Sequence, residues 1–351
     1  MESKKLKKIK KKDVLKLLEN IAGEYNVFVP AEENDDTRFS LLKPGQEIYW
    51  DYGNTKISPK EILFPQTETL FSFGKGAKVK TGDSAEEGKE YLIFGIRPCD
   101  TQAVSLLDKV FGGEDFKDNY YLDRRKKTTI MTLACNRPRL ECFCTSMNGR
   151  PDNEGGSDII LFDLGEDILA GAVTKKGEKL IEKHKKWFKE ASESDIAKKD
   201  KLMDSSIKKI QPQVDIKKIK ERLDNAFDAS FWDGIQQKCL GCGICTYLCP
   251  TCHCFDITDE INPETADSKT PKGKRIRCWD SCMYPLFTMH ASGHNPRPTY
   301  KERMRQRVMH KFNYCPENFG ETFCIGCGRC VTNCPVNIDI RRMLKFIGST
   351  K

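Results

Sequence analysis

Two copies of one short string constrain this chain more than any other feature. "CLGCGICTYLCP" runs from Cys239 to Pro250, and "CIGCGRCVTNCP" runs from Cys324 to Pro335. Both read C-x2-C-x2-C-x3-C-P. A cubane iron–sulfur cluster needs four converging thiolates, and three cysteines at two-residue gaps can wrap one face of it. Gly241, Gly243, Gly326 and Gly328 lie between them and let backbone N–H groups approach sulfur. The fourth cysteine is carried away by helix geometry, and in this spacing it ligates the neighbouring cluster. The spacing therefore assigns Cys239, Cys242, Cys245 and Cys334 to one 4Fe–4S cluster, and Cys324, Cys327, Cys330 and Cys249 to a second. A pair of zinc sites would instead call for separate C-x2-C knuckles.

Crossed ligation brings the two strings together in space, so residues 250–323 must loop out and return. Within that stretch "TYKERMRQRVMHKF" reads as a helix, with Thr299 and Glu302 at the spacing of a capping box. The sequences around the two strings do not match, so the duplication is a two-cluster module and not a solenoid. Two adjacent clusters with no substrate motif between them imply electron conduction, at potentials that spacing does not fix.

The chain has 17 cysteines in 351 residues. Disulfides would need an oxidising compartment. The lysine-rich start, "MESKKLKKIKKKD", lacks the apolar segment of a secretory signal. No apolar run reaches membrane-spanning length. The expectation is a soluble cytoplasmic protein whose cysteines bind metal. The net charge of +8 is mild and its lysines are scattered. Without an aromatic-interleaved basic motif, solvated helix faces are expected in place of nucleic-acid binding.

Upstream of the strings, residues 12–25 place Val14, Leu17, Leu18 and Ile21 on one helical face, and the strand "VFVP" follows. "SPKE" at 58–61 has the form of a helix start, with Ser58 as cap, Pro59 first and Glu61 reaching back. "TLFSF" (69–73) reads as a strand, and "GKGAKVKTGDS" behind it lacks phosphate-loop spacing and reads as a turn region. "YLIFGI" (91–96) and "TTIMTLAC" (128–135) read as strands buried on both faces. "DTQAVSLLDKVF" (100–111) between them is an amphipathic helix that Asp100 or Thr101 would cap. Strand, helix, strand predicts a parallel βαβ unit, and "DIILFDL" (158–164) adds a further strand. The expected organisation is a basic tail over 1–11, an α/β docking domain over 12–191, a basic linker or helix over 192–224, and an α-helical two-cluster domain over 225–351.

Cys99 precedes the predicted helix, where the helix dipole favours thiolate, and Cys135 ends the next strand. In a parallel sheet both fall at the C-terminal edge, where ligands gather, and Cys142 and Cys144 follow directly in "ECFC". Four cysteines at one edge could hold a third 4Fe–4S cluster; a structural zinc and unliganded packing are the alternatives. Arg97 and Arg137 stand nearby and could offset cluster charge or pair with acids. Cys252, Cys254, Cys278, Cys282 and Cys315 lack regular ligand spacing and read as packing or as support around the clusters, as do His290, His294 and His310.

Taken in order, "IRPCD", "CNRPRLECFCTSM", "CGICTYLCPTCHCFD", "RCWDSC" and "CIGCGRCVTNCPVNIDIR" resemble the iron–sulfur beta subunit of soluble sulfhydrogenases, which are cytoplasmic nickel–iron hydrogenases. The related iron–sulfur subunit of anaerobic sulfite reductase has the same layout, and "ISPKEILFPQTETLF" fits as well. The resemblance spans nearly the whole chain but not the tail 1–11 or the basic segment 192–215. It implies an electron-transfer subunit. Its partners would be a flavin subunit that handles NAD(P)H and a catalytic subunit that handles hydrogen, sulfur or sulfite. Cys99, Cys135, Cys142 and Cys144 match the family pattern, which favours the third cluster, and "CPVNIDIR" leans toward the hydrogenase branch.

Three functions remain on these readings: a relay subunit, a self-contained enzyme using the N-terminal cysteine site, and a free-standing ferredoxin carrier. Four cysteines suffice to saturate a cubane, which counts against an open iron. A mobile carrier has no use for the long segment ahead of the strings. The relay explains both.

Overall fold

The computed structural model describes residues 6–34, 36–74, 89–210, 214–266 and 268–349; the turn region expected over 74–84 lies, after Gly74, outside them. In chain order the strands are β1 (Lys7–Lys10), β2 (Tyr25–Glu33), β3 (Asp36–Leu41), β4 (Thr67–Phe73), β5 (Glu90–Ile96), β6 (Thr128–Leu133), β7 (Ile159–Asp163), β8 (Asp167–Ala172), β9 (Lys189–Glu190), β10 (Phe255–Ile261) and β11 (Gly273–Trp279).

The continuous apolar runs become the middle of an eight-stranded sheet, ordered β3-β2-β5-β6-β7-β8-β1-β9. Strands β2, β5, β6 and β7 are mutually parallel, and the pairings toward both edges are antiparallel. Side chains of β5 and β6 are buried on both faces because helices cover both. On one face Leu92, Phe94, Met131 and Leu133 pack with helix Val14–Ile21, whose apolar stripe is the one expected. On the other, Ile93, Ile96 and Ile130 pack with helices Pro98–Phe111 and Asn119–Lys127. The predicted βαβ unit is β5, helix Pro98–Phe111 and β6.

The lysine-rich start is not wholly a tail. Residues 7–10 form β1, inserted between β8 and β9. Ile9 enters the core, while Lys8, Lys10 and Lys11 pair with Asp195, Asp167 and Asp163. The polar segment that follows the α/β region begins as helix Glu193–Lys209, started by a capping box between Ser192 and Asp195. Met203 of that helix packs on Ala134, Ile160, Phe162 and Leu169, so the helix belongs to the sheet's cover.

The C-terminal module, expected to be α-helical, also contains a hairpin. Strands β10 and β11 pair antiparallel, and β11 pairs with β4, giving a three-stranded sheet built from both halves of the chain. That register sets Arg277 opposite Glu68, whose carboxylate is held by Arg277 Nε (2.8 Å) and Arg124 Nη2 (3.0 Å). Around the strings, helices Ile219–Asp224, Phe231–Gln236, Tyr300–Met309 and Ile340–Ser349 pack on Trp232, Val308, Phe312 and Leu344. Among the described residues no helix is long and apolar enough to cross a membrane.

Two expected caps are used differently. Helix Pro98–Phe111 starts at the proline, and the Asp100 carboxylate instead takes both Nη atoms of Arg329, at 2.7 and 2.8 Å. Thr101 Oγ1 bonds Arg97 O and Thr132 Oγ1. Ser58 Oγ accepts from Lys60 N and donates to Asp100, while the Glu61 carboxylate takes Gln66 and does not reach back. The capping box at Thr299 and Glu302 forms as expected.

Asp195→Ala removes the capping box and the Lys8 contact together, and should lower stability by about 1–2 kcal/mol, read by anaerobic thermal unfolding. Arg329→Met leaves Asp100 buried without its charge partner and should cost about 3–5 kcal/mol. Adding Asp100→Leu should recover most of that loss; a single variant as stable as the parent would show that the pair does not join the halves.

Candidate metal centres

The two strings fold into the same local form. In each, two glycines take positive φ: Gly241 +66° and Gly243 +73° in one, Gly326 +63° and Gly328 +77° in the other. These angles turn the chain back so that successive cysteines face one point. The glycines are also pressed by neighbours. A Cβ on Gly241 would lie 2.7 Å from the Tyr300 ring, and one on Gly326 would lie 2.6 Å from the backbone of Phe143 and Cys144. The second string is therefore packed on the "ECFC" loop, with Phe143 N donating to Gly326 O (2.8 Å).

Cys239, Cys242, Cys245 and Cys334, the first predicted set, line one hollow of about 30 Å³ together with Met283, Met304, Ile338 and Ile340. Backbone N–H groups of Gly241 and Ile338 donate to Cys239 Sγ (3.4 Å) and Cys334 Sγ (3.2 Å). Cys242 is exposed, so this hollow reaches the surface. Cys324, Cys327 and Cys330 lie near enough to Cys249 for its charge to act on all three. Burial pushes the Cys324 thiol up to about 12 and Cys327 to about 11. Cys249 runs the other way, well below the usual thiol range, because the Cys252 thiol donates to it and Lys311 Nζ stands 3.3 Å from its sulfur.

Cys99, Cys135, Cys142 and Cys144 are also brought together. They line a hollow of about 20 Å³ that includes Arg97, Gly326 and Cys327. Burial holds the Cys99 thiol well above its usual range and lifts Cys142 and Cys144 to about 12. All 17 thiols are free of disulfides.

The residues present fit iron–sulfur cubanes. Among the described residues no three His, Cys, Asp or Glu side chains meet closely enough to hold a single metal ion. The sites are also rich in buried positive charge. Arg307 lies between the first two sets, with Nη2 3.4 Å from Cys245 O, and its buried Nε has no hydrogen-bond partner among the described residues. Burial alone would lower its basicity, but the thiols of Cys245 and Cys330 raise it. Lys311 Nζ bonds Cys249 Sγ, Thr251 Oγ1 and Phe323 O. Such cations are stable in a protein interior when anionic groups face them, and thiolate-ligated clusters are anionic groups of that kind.

Sequence patterns did not single out Arg307, Lys311, Lys60 or Arg329. A signal existed for two of them. Met304, Arg307, Val308, Lys311 and Phe312 recur at helical spacing, so two cations interrupt a core stripe. Lys311 lies in the π-helical turn His310–Tyr314, a form that often marks functional sites. Arg97 donates to Leu133 O, Ala134 O and Tyr52 O, and its guanidinium stacks on the Tyr52 ring at 4.1 Å. Arg137 pairs with Asp51 at the surface. His290 and His294 are exposed and contact each other. His310 packs edge-on against His253.

Comparison with known proteins agrees with this geometry. The 4Fe-4S dicluster domain family matches residues 238–338. Sulfhydrogenase 2 subunit beta of Pyrococcus furiosus is 31% identical over 319 residues, covering 91% of this chain and 91% of that protein. The chain carries a 4Fe–4S dicluster domain and belongs to the family of sulfhydrogenase beta subunits.

Proposed function

We propose that this chain is the electron-transfer subunit of a cytoplasmic multisubunit oxidoreductase. It would lie between a flavin subunit that handles NAD(P)H and a catalytic subunit of the hydrogenase or the sulfur or sulfite reductase type. One observation carries the reading: the three cysteine sets are contiguous. Cys330 lines the first hollow although it belongs to the second set, and Cys327 lines the third hollow although it too belongs to the second. The second set is thus the middle of three. Bound in these hollows, 4Fe–4S cubanes supply one-electron carriers in series.

The chain's own residues do the rest. Cys239, Cys242, Cys245 and Cys334 would hold the first cluster, Cys324, Cys327, Cys330 and Cys249 the second, and Cys99, Cys135, Cys142 and Cys144 the third. Gly241 N–H, Ile338 N–H and the Cys252 thiol donate to ligand sulfurs, which raises the potential of a cluster by stabilising its reduced form. Arg307 and Lys311 act in the same direction by charge. Leu240, exposed and lining the open first hollow, offers an apolar rim for a partner subunit.

Anaerobically purified protein should contain about twelve irons per chain, about four for each cubane. Cys144→Ser should remove about four of these and leave the dicluster signals in electron paramagnetic resonance. Cys249→Ser should damage the cluster held by Cys324, Cys327 and Cys330. If Cys249→Ser instead abolishes the cluster held by Cys239, the crossed assignment is wrong, and about one zinc with eight irons would remove the third cluster.

A further inference from the structure

Five cysteines lie outside the three sets, and the fold divides them. Cys278 stands in β11 opposite Asp256 and Thr67. Cys315 packs with Ala103, Leu106 and Phe323. Cys252 is engaged as a donor to Cys249. Cys254 and Cys282 remain, and they are neighbours: both belong to one core cluster, and each shifts the other's thiol, Cys254 below its usual range and Cys282 above it. Their approach is fixed by the hairpin, because Asp280 N donates to Cys254 O (3.0 Å) next to the β10–β11 ladder.

The surroundings of this pair are unusual for packing cysteines. Cys282 is buried and Cys254 half-buried in the same core cluster as Cys239 and Cys245. Met283, the next residue, lines the first hollow. Cys252, on the other side, contacts Cys249 of the second set. Lys60 is buried here and makes no ion pair with a carboxylate among the described residues; its Nζ bonds Cys249 O (2.9 Å) and Cys252 O (2.7 Å) and lies over the Trp279 ring. Lys60 and Lys311 both favour a Cys254 thiolate, and Arg307 acts on Cys282. Two neighbouring thiols in one core cluster, under cationic influence and between two cluster sets, have the environment of a reactive cysteine and its resolving partner.

We propose that Cys254 and Cys282 are a redox-active pair that cycles between dithiol and disulfide, in exchange with the iron–sulfur groups of the dicluster domain. The proposal rests on the cluster assignment above. Oxidation takes the sulfur-bound protons of Cys254 and Cys282, forms one Cys254–Cys282 S–S bond, and releases two electrons. The protons leave to solvent on the half-buried Cys254 side. The 4Fe–4S groups that the first and second cysteine sets would hold would be the acceptors when oxidised, one electron each, so that two of them would balance one disulfide. Reduction of the disulfide is the reverse. The pair would give a one-electron relay a two-electron store.

The test uses the full chain, purified anaerobically with its iron. Samples are poised with mediators over a range of potentials, quenched in acid, alkylated after denaturation, and read by peptide mass spectrometry. A linked Cys254–Cys282 peptide should appear as potential rises, its ratio to the alkylated pair changing tenfold for each ~30 mV of a two-electron couple. Reductive titration of the oxidised protein should take about two electrons fewer per chain in Cys254→Ser than in the parent, whereas Cys278→Ser should match the parent. Full iron content with both thiols alkylated at every potential overturns the pair and leaves the cluster assignment standing. An equal electron count in the parent and Cys254→Ser, with iron retained, also overturns it. A folded, iron-free chain overturns both.

Discussion

Asp100 and Arg329 meet in a buried, two-pronged ion pair, and much of the molecule is arranged around that contact. Asp100 follows Cys99 at the start of a helix of the α/β domain. Arg329 lies between Gly328 and Cys330 in the second cysteine string, and its Nε also donates to Thr55 O (2.7 Å). With the side chains only 1% and 2% exposed, neither charge has water to fall back on. The pair therefore fixes the third cysteine set against the second. The close packing of Gly326 and Gly328 on residues 141–144 depends on the same alignment. A displaced Arg329 would leave two desolvated charges, so the interface has one favoured register.

Electrostatics extends this logic to the thiols. Burial alone raises most of the cysteine thiols, which would disfavour the ligating form. Arg307, Lys311 and Lys60 oppose it from inside the core. The lysines differ in how well they are compensated. Lys311 has a thiol sulfur and two oxygens around Nζ and is held charged, whereas burial lowers Lys60 to about 8 despite nearby Cys252 and Cys249. Positive charge is concentrated around Cys249, the ligand that crosses from one string to the other set.

The cysteine spacing makes the two C-terminal sets legible, because ligation of a cubane dictates local sequence. The third set is legible only through the sheet. Cys99 and Cys135 can be placed at one strand edge from the pattern of apolar runs, and Cys142 and Cys144 follow. The buried cations are harder to see, since a lysine or arginine on a helix is ordinarily solvated. The N-terminal strand is hidden for a similar reason. Its single apolar residue, Ile9, is outnumbered by lysines that pair with acids more than a hundred residues away. The cap expected at Asp100 follows a local rule that a distant arginine overrides. The hairpin β10–β11 carries a weak signal because β10 is exposed along its length.

The union of β4 with β11 has a consequence for biosynthesis. Ribosomes deliver the chain from its N-terminus, so Thr67–Phe73 emerges some two hundred residues before the strand that completes its ladder. Until then its backbone edge is open and Glu68 lacks Arg277. The α/β half must wait, unfinished, for the segment that also delivers the cysteine strings. Loading of metal and closure of the fold thus belong to the same late stage, and a nascent chain arrested before residue 273 would present a sticky edge to chaperones.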